Sequence, residues 1–397
     1  MMTTPEYSLA TDGQRRSSLL TTGFALFSMF FGAGNLIFPL IIGKSVGSGT
    51  WYALLGLSIT AVAVPFLGLA AMMLFEADYK RFFGRLGKYP GILLLLLLQL
   101  ILGPCGVIPR LITLMYAMSK PYLFGLPLSG FSFLAVALIF ACTFKRDYLI
   151  KLIGAILTPV LLIALAALMY LGLTDSSAFS TAHAPAASSF VQGLIGGYNT
   201  MDLIAAFLFA TVMLPHFQKS HSAASDKKGM IKEMFWSSLI AAGLLMINYI
   251  GLAWVSSLHS WTVDASIPPE ELLGAIACKL LGPAGGFIAA ITVILACLTT
   301  AITLASIFAD YLQLEICKKK IKPNTALIAT LITCMLFANL GFSGIVSLLA
   351  PILQVVYPGL IVLTVFNFLH SMYGFSMVKT PVFAAFVIAG ICWMFPF

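Results

Sequence analysis

Residues 28–39, SMFFGAGNLIFP, lie inside an apolar run of about residues 19–42, yet they carry groups that a plain membrane helix does not need. Gly32 and Gly34 have no side chain, which favours helix breaks and close approach of backbone to a ligand. Asn35 puts an amide where hydrocarbon is expected, and Pro39 removes a backbone donor. Together they predict that the helix unwinds near residues 32–35. Backbone groups freed at membrane depth are tolerated only where they line a cavity or are buried in protein. An unwound turn between two half-helices can then hold a small ion and a carboxylate. The competing reading is a Gly/Pro kink that serves packing alone.

A second interruption, Gly196-Gly197-Tyr198-Asn199-Thr200 followed by Asp202, lies five apolar spans further on. Five is odd, so the two halves cross the membrane with opposite topology. Such a pair of interrupted segments points to a transporter binding site. No residue-by-residue repeat aligns, so the symmetry rests on spacing and hydropathy. Asp202 is costly at that depth; it holds a proton or cation, or caps the second half of its span. Further on, in ACLTTA, Thr299 shares a helical face with Thr303 and Ser306. These oxygens, with no protein cation expected nearby, suit a small hard ion such as Na⁺, unless the hydroxyls only bond the backbone four residues back.

Other polar groups receive plainer readings. Arg110 is read as snorkelling to the outer surface rather than as a gate charge, and Gln99, Asn248 and Gln354 as inter-helix hydrogen bonds. His183, His216, His221, His259 and His370 have no metal-ligand spacing, and the seven Cys form no pairs or clusters. No nucleophile and base converge, which argues against an enzyme, and no phosphate loop is present, which argues against ATP-driven transport.

The elements that must position these groups follow from composition. Of 397 residues, 60% are hydrophobic and 9% charged, and the mean hydropathy is +1.02. Apolar runs that reach the ~20 residues needed to cross a bilayer core make this an all-α polytopic membrane protein of about eleven spans. They fall near 19–42, 50–75, 90–118, 122–143, 149–172, 190–214, 234–257, 284–312, 324–340, 344–369 and 381–397. Residues 1–18 read as a polar tail, 19–173 and 190–369 as two five-helix halves, and 381–397 as an additional helix. The loop 258–282 has room for a short surface helix. The net charge of +8 does not indicate nucleic acid, because the basic residues sit in short loops. With the N-terminus inside, only Lys44, Lys120 and Lys279 fall in outer loops and Arg110 lies within a span. That asymmetry predicts a cytoplasmic N-terminus.

At residues 30–39, FFGAGNLIFP, the chain resembles the branched-chain amino acid:cation symporter family, within the APC superfamily of LeuT-fold transporters. The resemblance continues through GGYNTMD, ACLTTA and YPGLIVL and covers essentially the whole chain. It implies a 5+5 inverted repeat with broken helices 1 and 6, although the family usually has twelve spans. It also implies roles. N–H groups of Ala33 and Gly34 would receive the substrate carboxylate, and backbone oxygens near Tyr198, Asn199 and Thr200 its ammonium. Carbonyls of Ser28, Phe31 and Ala296 would join the hydroxyls of Thr299 and Thr300 around one Na⁺. Asn35 is a candidate substrate-binding residue and is also a candidate for a second cation.

The expected activity is import of Leu, Ile or Val with Na⁺ as coupling ion and no other cofactor. The expected setting is a bacterial inner (plasma) membrane, with the lipid bilayer as partner. The mechanism is rocking of a bundle of spans 1, 2, 6 and 7 against the rest. One alternative is Na⁺- or H⁺-coupled transport of Met or another neutral amino acid, with Asp202 as the proton site. Another is a sensor or membrane enzyme on the same scaffold. An apolar pocket separates side chains differing by one methylene by only about 1–3 kcal/mol, so the substrates are not ranked.

Overall fold

The computed structural model of the chain describes residues 12–143, 158–174, 184–220, 227–264 and 266–395. Among these residues every regular element is helical. The first part of the expected span 149–172 falls outside the described residues, as do His183 and His221.

The first span is two helices, α1 (Asp12–Phe30) and α2 (Ala33–Val46), bent by 70° at the break between them. Residues 12–18 of the expected tail are helical, within α1. Next come α3 (Thr50–Leu74), the short α4 (Tyr79–Gly84), α5 (Lys88–Leu102) and α6 (Val107–Ser119). Asp78 caps α4 by accepting from the N–H groups of Lys80 and Arg81. α7 (Leu128–Thr143) and α8 (Thr158–Thr174) complete the first half.

The second half opens with α9 (Ala186–Thr200) and α10 (Asp202–Ser220), then α11 (Lys227–His259). α12 (Leu272–Tyr311) is kinked at Gly282, whose φ of 66° precedes Pro283. Its first segment is the helix expected in the 258–282 loop. α13 (Pro323–Ala338), α14 (Gly341–Tyr373) and α15 (Lys379–Met394) follow.

Packing divides most of these helices into two groups. α1, α2, α3, α9, α10 and α11 pack chiefly on one another, while α6, α7, α8, α12 and α13 form a second group. Glycines set how close the first group lies. A Cβ on Gly43 would collide with the carbonyl of Ala253 in α11, and one on Gly197 with Thr60 Oγ1 in α3. α1 and α2 also touch α12, so the break in the first span faces the second group.

Candidate functional site

The two breaks differ in construction. The first falls at Phe31 and Gly32, slightly before the predicted position, and Asn35 lies within the first turn of α2. Its side-chain oxygen accepts the N–H of Gly32 at 3.0 Å, so Asn35 folds back to cap its own helix. The second break is Met201 alone, held at φ 64°, a region that L side chains adopt uncommonly. Gly196 and Gly197, where sequence reasoning placed that break, remain in α9 and serve close packing instead. Their lack of side chains lets α9 approach α2 and α3.

Helix ends leave unpaired groups, and here they are turned to use. By helix geometry, the N–H groups of Ala33, Gly34 and Asn35 have no partner inside α2. At the start of α10, the N–H of Leu203 donates to the hydroxyl of Tyr357 in α14 at 3.0 Å. Asp202, 2% exposed, accepts at one carboxylate oxygen from Asn35 Nδ2 at 2.7 Å and from the Tyr249 hydroxyl at 3.0 Å. Asn35 Nδ2 also donates to that hydroxyl. This network ties α2, α10 and α11 together. It leaves Asn35 Oδ1 turned to Gly32 rather than to the second cation proposed for it.

The oxygens expected around one cation converge. Thr300 Oγ1 lies 3.4 Å from the Ser28 carbonyl oxygen, 3.3 Å from those of Met29 and Phe31, and 3.2 Å from that of Ala296. Thr299 Oγ1 lies 3.4 Å from the Ser28 carbonyl oxygen and 2.9 Å from that of Ala296. Two hydroxyls thus face carbonyls freed by the end of α1, and all are buried. Thr299 and Thr300 bond both their own helix, through Ala296 O, and the end of α1, whereas the hydrogen bonds of Thr303 and Ser306 among the described residues go to backbone carbonyls of their own helix.

Between the breaks is a cavity lined by Gly32, Ala33, Gly34, Asn35, Thr200 and Asp202, with Phe30, Leu102, Val107, Phe209 and Leu304 among its apolar walls. A water's centre has only about 20 Å³ to move in there, room for roughly one molecule. An amino acid enters only if helices or side chains shift.

The carbonyls expected to receive an ammonium are largely taken. Tyr198 O accepts the N–H of Met201, and Asn199 O accepts Arg110 Nη1 at 2.9 Å. Arg110 does not snorkel: it is 1% exposed, lines the cavity and lies against the Phe38 ring. Its position, with Tyr249 and Tyr357, was missed by sequence reasoning. Buried tyrosine hydroxyls find partners, and the fold shows that these two are buried. Gln99 and Asn248 do not bridge helices. The Gln99 amide has no hydrogen-bond partner among the described residues, and Asn248 Nδ2 donates to Leu244 O of its own helix.

A family described as "Branched-chain amino acid transport protein" matches residues 15–395. A putative branched-chain amino acid carrier protein of Staphylococcus epidermidis is 30% identical, over 85% of this chain and 78% of its own. The branched-chain amino acid permease BrnQ of Escherichia coli is 29% identical, over 93% and 84%. Among solved structures, Mhp1, a nucleobase-cation-symport-1 family transporter, matches 95% of this chain and 93% of its own at a TM-score of 0.59 and 14% identity. A Na⁺-coupled sialic acid symporter matches 95% and 89% at 0.56 and 12%. At such identities these two speak for the fold alone, which is the LeuT-type inverted repeat.

Proposed function

Because the chain belongs to the branched-chain amino acid transport protein family, and is therefore a multi-span membrane transport protein rather than an enzyme, we propose that it imports Leu, Ile or Val by symport with Na⁺. One observation carries the ion: the Thr299 and Thr300 hydroxyls converge with the carbonyls of Ser28, Phe31 and Ala296 at the end of α1. A set of neutral oxygens suits a hard monovalent cation. Its ligands come from both helix groups, so the ion joins α1 to α12 and orders the break beside the cavity. Ion and amino acid then raise each other's affinity, as linkage requires. The apolar walls from Leu102, Val107, Phe209 and Leu304 support a branched aliphatic side chain. The relatives' names, a carrier and a permease for branched-chain amino acids, support the same substrate class.

The setting is the bacterial inner membrane with the N-terminus in the cytoplasm, supported by the Lys and Arg of the loops. Alternating access is a rocking of the α1, α2, α3, α9, α10 and α11 group against its neighbours. Uptake of labelled leucine into proteoliposomes tests the reading. We expect accumulation under an inward Na⁺ gradient and little without it; equal uptake in both conditions contradicts Na⁺ coupling.

A second reading, H⁺ coupling, is favoured by a buried Asp202 joined to Asn35 and Tyr249. It predicts that Asp202→Asn abolishes the response of uptake to an imposed pH gradient. Uptake that keeps this response excludes Asp202 as the coupling group.

A further inference from the structure

Arg110 is the largest fully buried side chain among the described residues. It is also a cation at membrane depth, where charges are rare and pair with one another or with backbone carbonyls. Its neighbours do not complete it. Nη1 donates to Asn199 O. Phe38 offers a ring face 5.7 Å from Cζ. Among the described residues, ion pairs shorter than 4 Å all involve partly exposed side chains, and none includes Arg110. Asp202 lines the same cavity, with one carboxylate oxygen already serving Asn35 and Tyr249. Arg110 Nε is buried with no hydrogen-bond partner among the described residues.

Of the unused donors, Nη2 has a direction. With Nη1 engaged, Nε and Nη2 form the remaining edge of a planar fork, the arrangement that takes a carboxylate in two parallel hydrogen bonds. Nη2 is so close to the start of α2 that a Cβ on Gly34 would sit 2.9 Å from it. The same turn presents the helix N–H groups of Ala33 and Gly34, where negative charge is stabilised. An anion placed there meets backbone donors on one side and the guanidinium on the other.

We propose that Arg110 is the residue that recognises the substrate's α-carboxylate, a fixed charge doing this together with the α2 N-terminus. The proposal rests on the reading of the cavity as an amino-acid site. The carboxylate then needs no second metal ion beside it, consistent with Asn35 Oδ1 being engaged by Gly32. Arg110 fills the Asn199 carbonyl where an ammonium was expected, so the substrate's ammonium turns toward Thr200 and Asp202.

The test compares binding of L-leucine and L-leucinamide to purified wild type, Arg110→Lys and Arg110→Gln. Leucinamide keeps the ammonium and the side chain but has no carboxylate. Losing a charge-assisted pair in a buried site supports an expected fall of about 100-fold for leucinamide against leucine in the wild type. In Arg110→Gln leucine affinity drops by about the same factor while leucinamide changes less than about threefold, so the preference collapses. Arg110→Lys keeps part of it. A purely structural strut would weaken both compounds equally, and an unchanged preference in Arg110→Gln overturns the proposal. Should that variant fail to fold, a structure of the wild type with L-leucine decides. Carboxylate oxygens within about 3.2 Å of Nε and Nη2 support the proposal; a carboxylate held by backbone N–H alone overturns it. If the wild type binds leucine no better than leucinamide, this inference fails while the transport reading stands; if it binds neither, both fall.

Discussion

Gly34 and Thr300 illustrate how single residues decide this site. A Cβ on Gly34 would lie 2.8 Å from Thr200 Cα and 2.9 Å from Arg110 Nη2. Neither a backbone atom nor a buried guanidinium yields cheaply, so Gly34→Ala should abolish leucine uptake while the protein still reaches the membrane, checked by transport and immunoblot together. Thr300 Oγ1 lies beside all three carbonyls of the proposed ion site and Met29 O, and Thr299 Oγ1 beside two of them. Thr300→Ala is therefore expected to raise the Na⁺ concentration for half-maximal uptake by at least about tenfold, as loss of roughly one charge-assisted contact would, and Thr299→Ala by less. The glycines, threonines and Asp202 were legible because such types stand out in apolar runs. Arg110, Tyr249 and Tyr357 were not, since each has a plausible life at a membrane interface and only the fold shows how deep it lies.

At the scale of elements, the breaks were legible in kind but not in place. Glycines at 196 and 197 look like helix breakers, yet they bring α9 against α3, and the chain turns instead at Met201. Sequence does not separate these uses of glycine, because both depend on what lies opposite. Gly197→Ala should accordingly lower the melting temperature in detergent, since its Cβ collides with Thr60 and overpacking costs about 1–3 kcal/mol. Asn35 fastens α2 to α10 and α11. Asn35→Ala leaves the Gly32 N–H without a partner, worth about 1–3 kcal/mol when buried, and removes one of the two donors to the Asp202 oxygen. A drop of several degrees in thermal unfolding is expected, larger than for Asn248→Ala, whose amide bonds only its own helix.

For the molecule as a whole, hydropathy and the odd spacing of the two interruptions carried the inverted-repeat fold, because lipid forces every span to satisfy its own backbone. They could not show which helices pack together; that is seen in the glycine-lined contacts inside one group. Orientation is testable on intact cells: a Cys introduced at Lys120 should react with a membrane-impermeant thiol reagent from outside, and one at Lys319 only in inside-out vesicles. The central claim is that an ion at the broken first span moves together with an amino acid. Radioactive Na⁺ entry into proteoliposomes, measured with and without external leucine, tests it most directly. Leucine should accelerate Na⁺ entry in the wild type and not in the Thr299→Ala, Thr300→Ala double variant. Na⁺ entry indifferent to leucine, in vesicles that still accumulate leucine, would contradict the account.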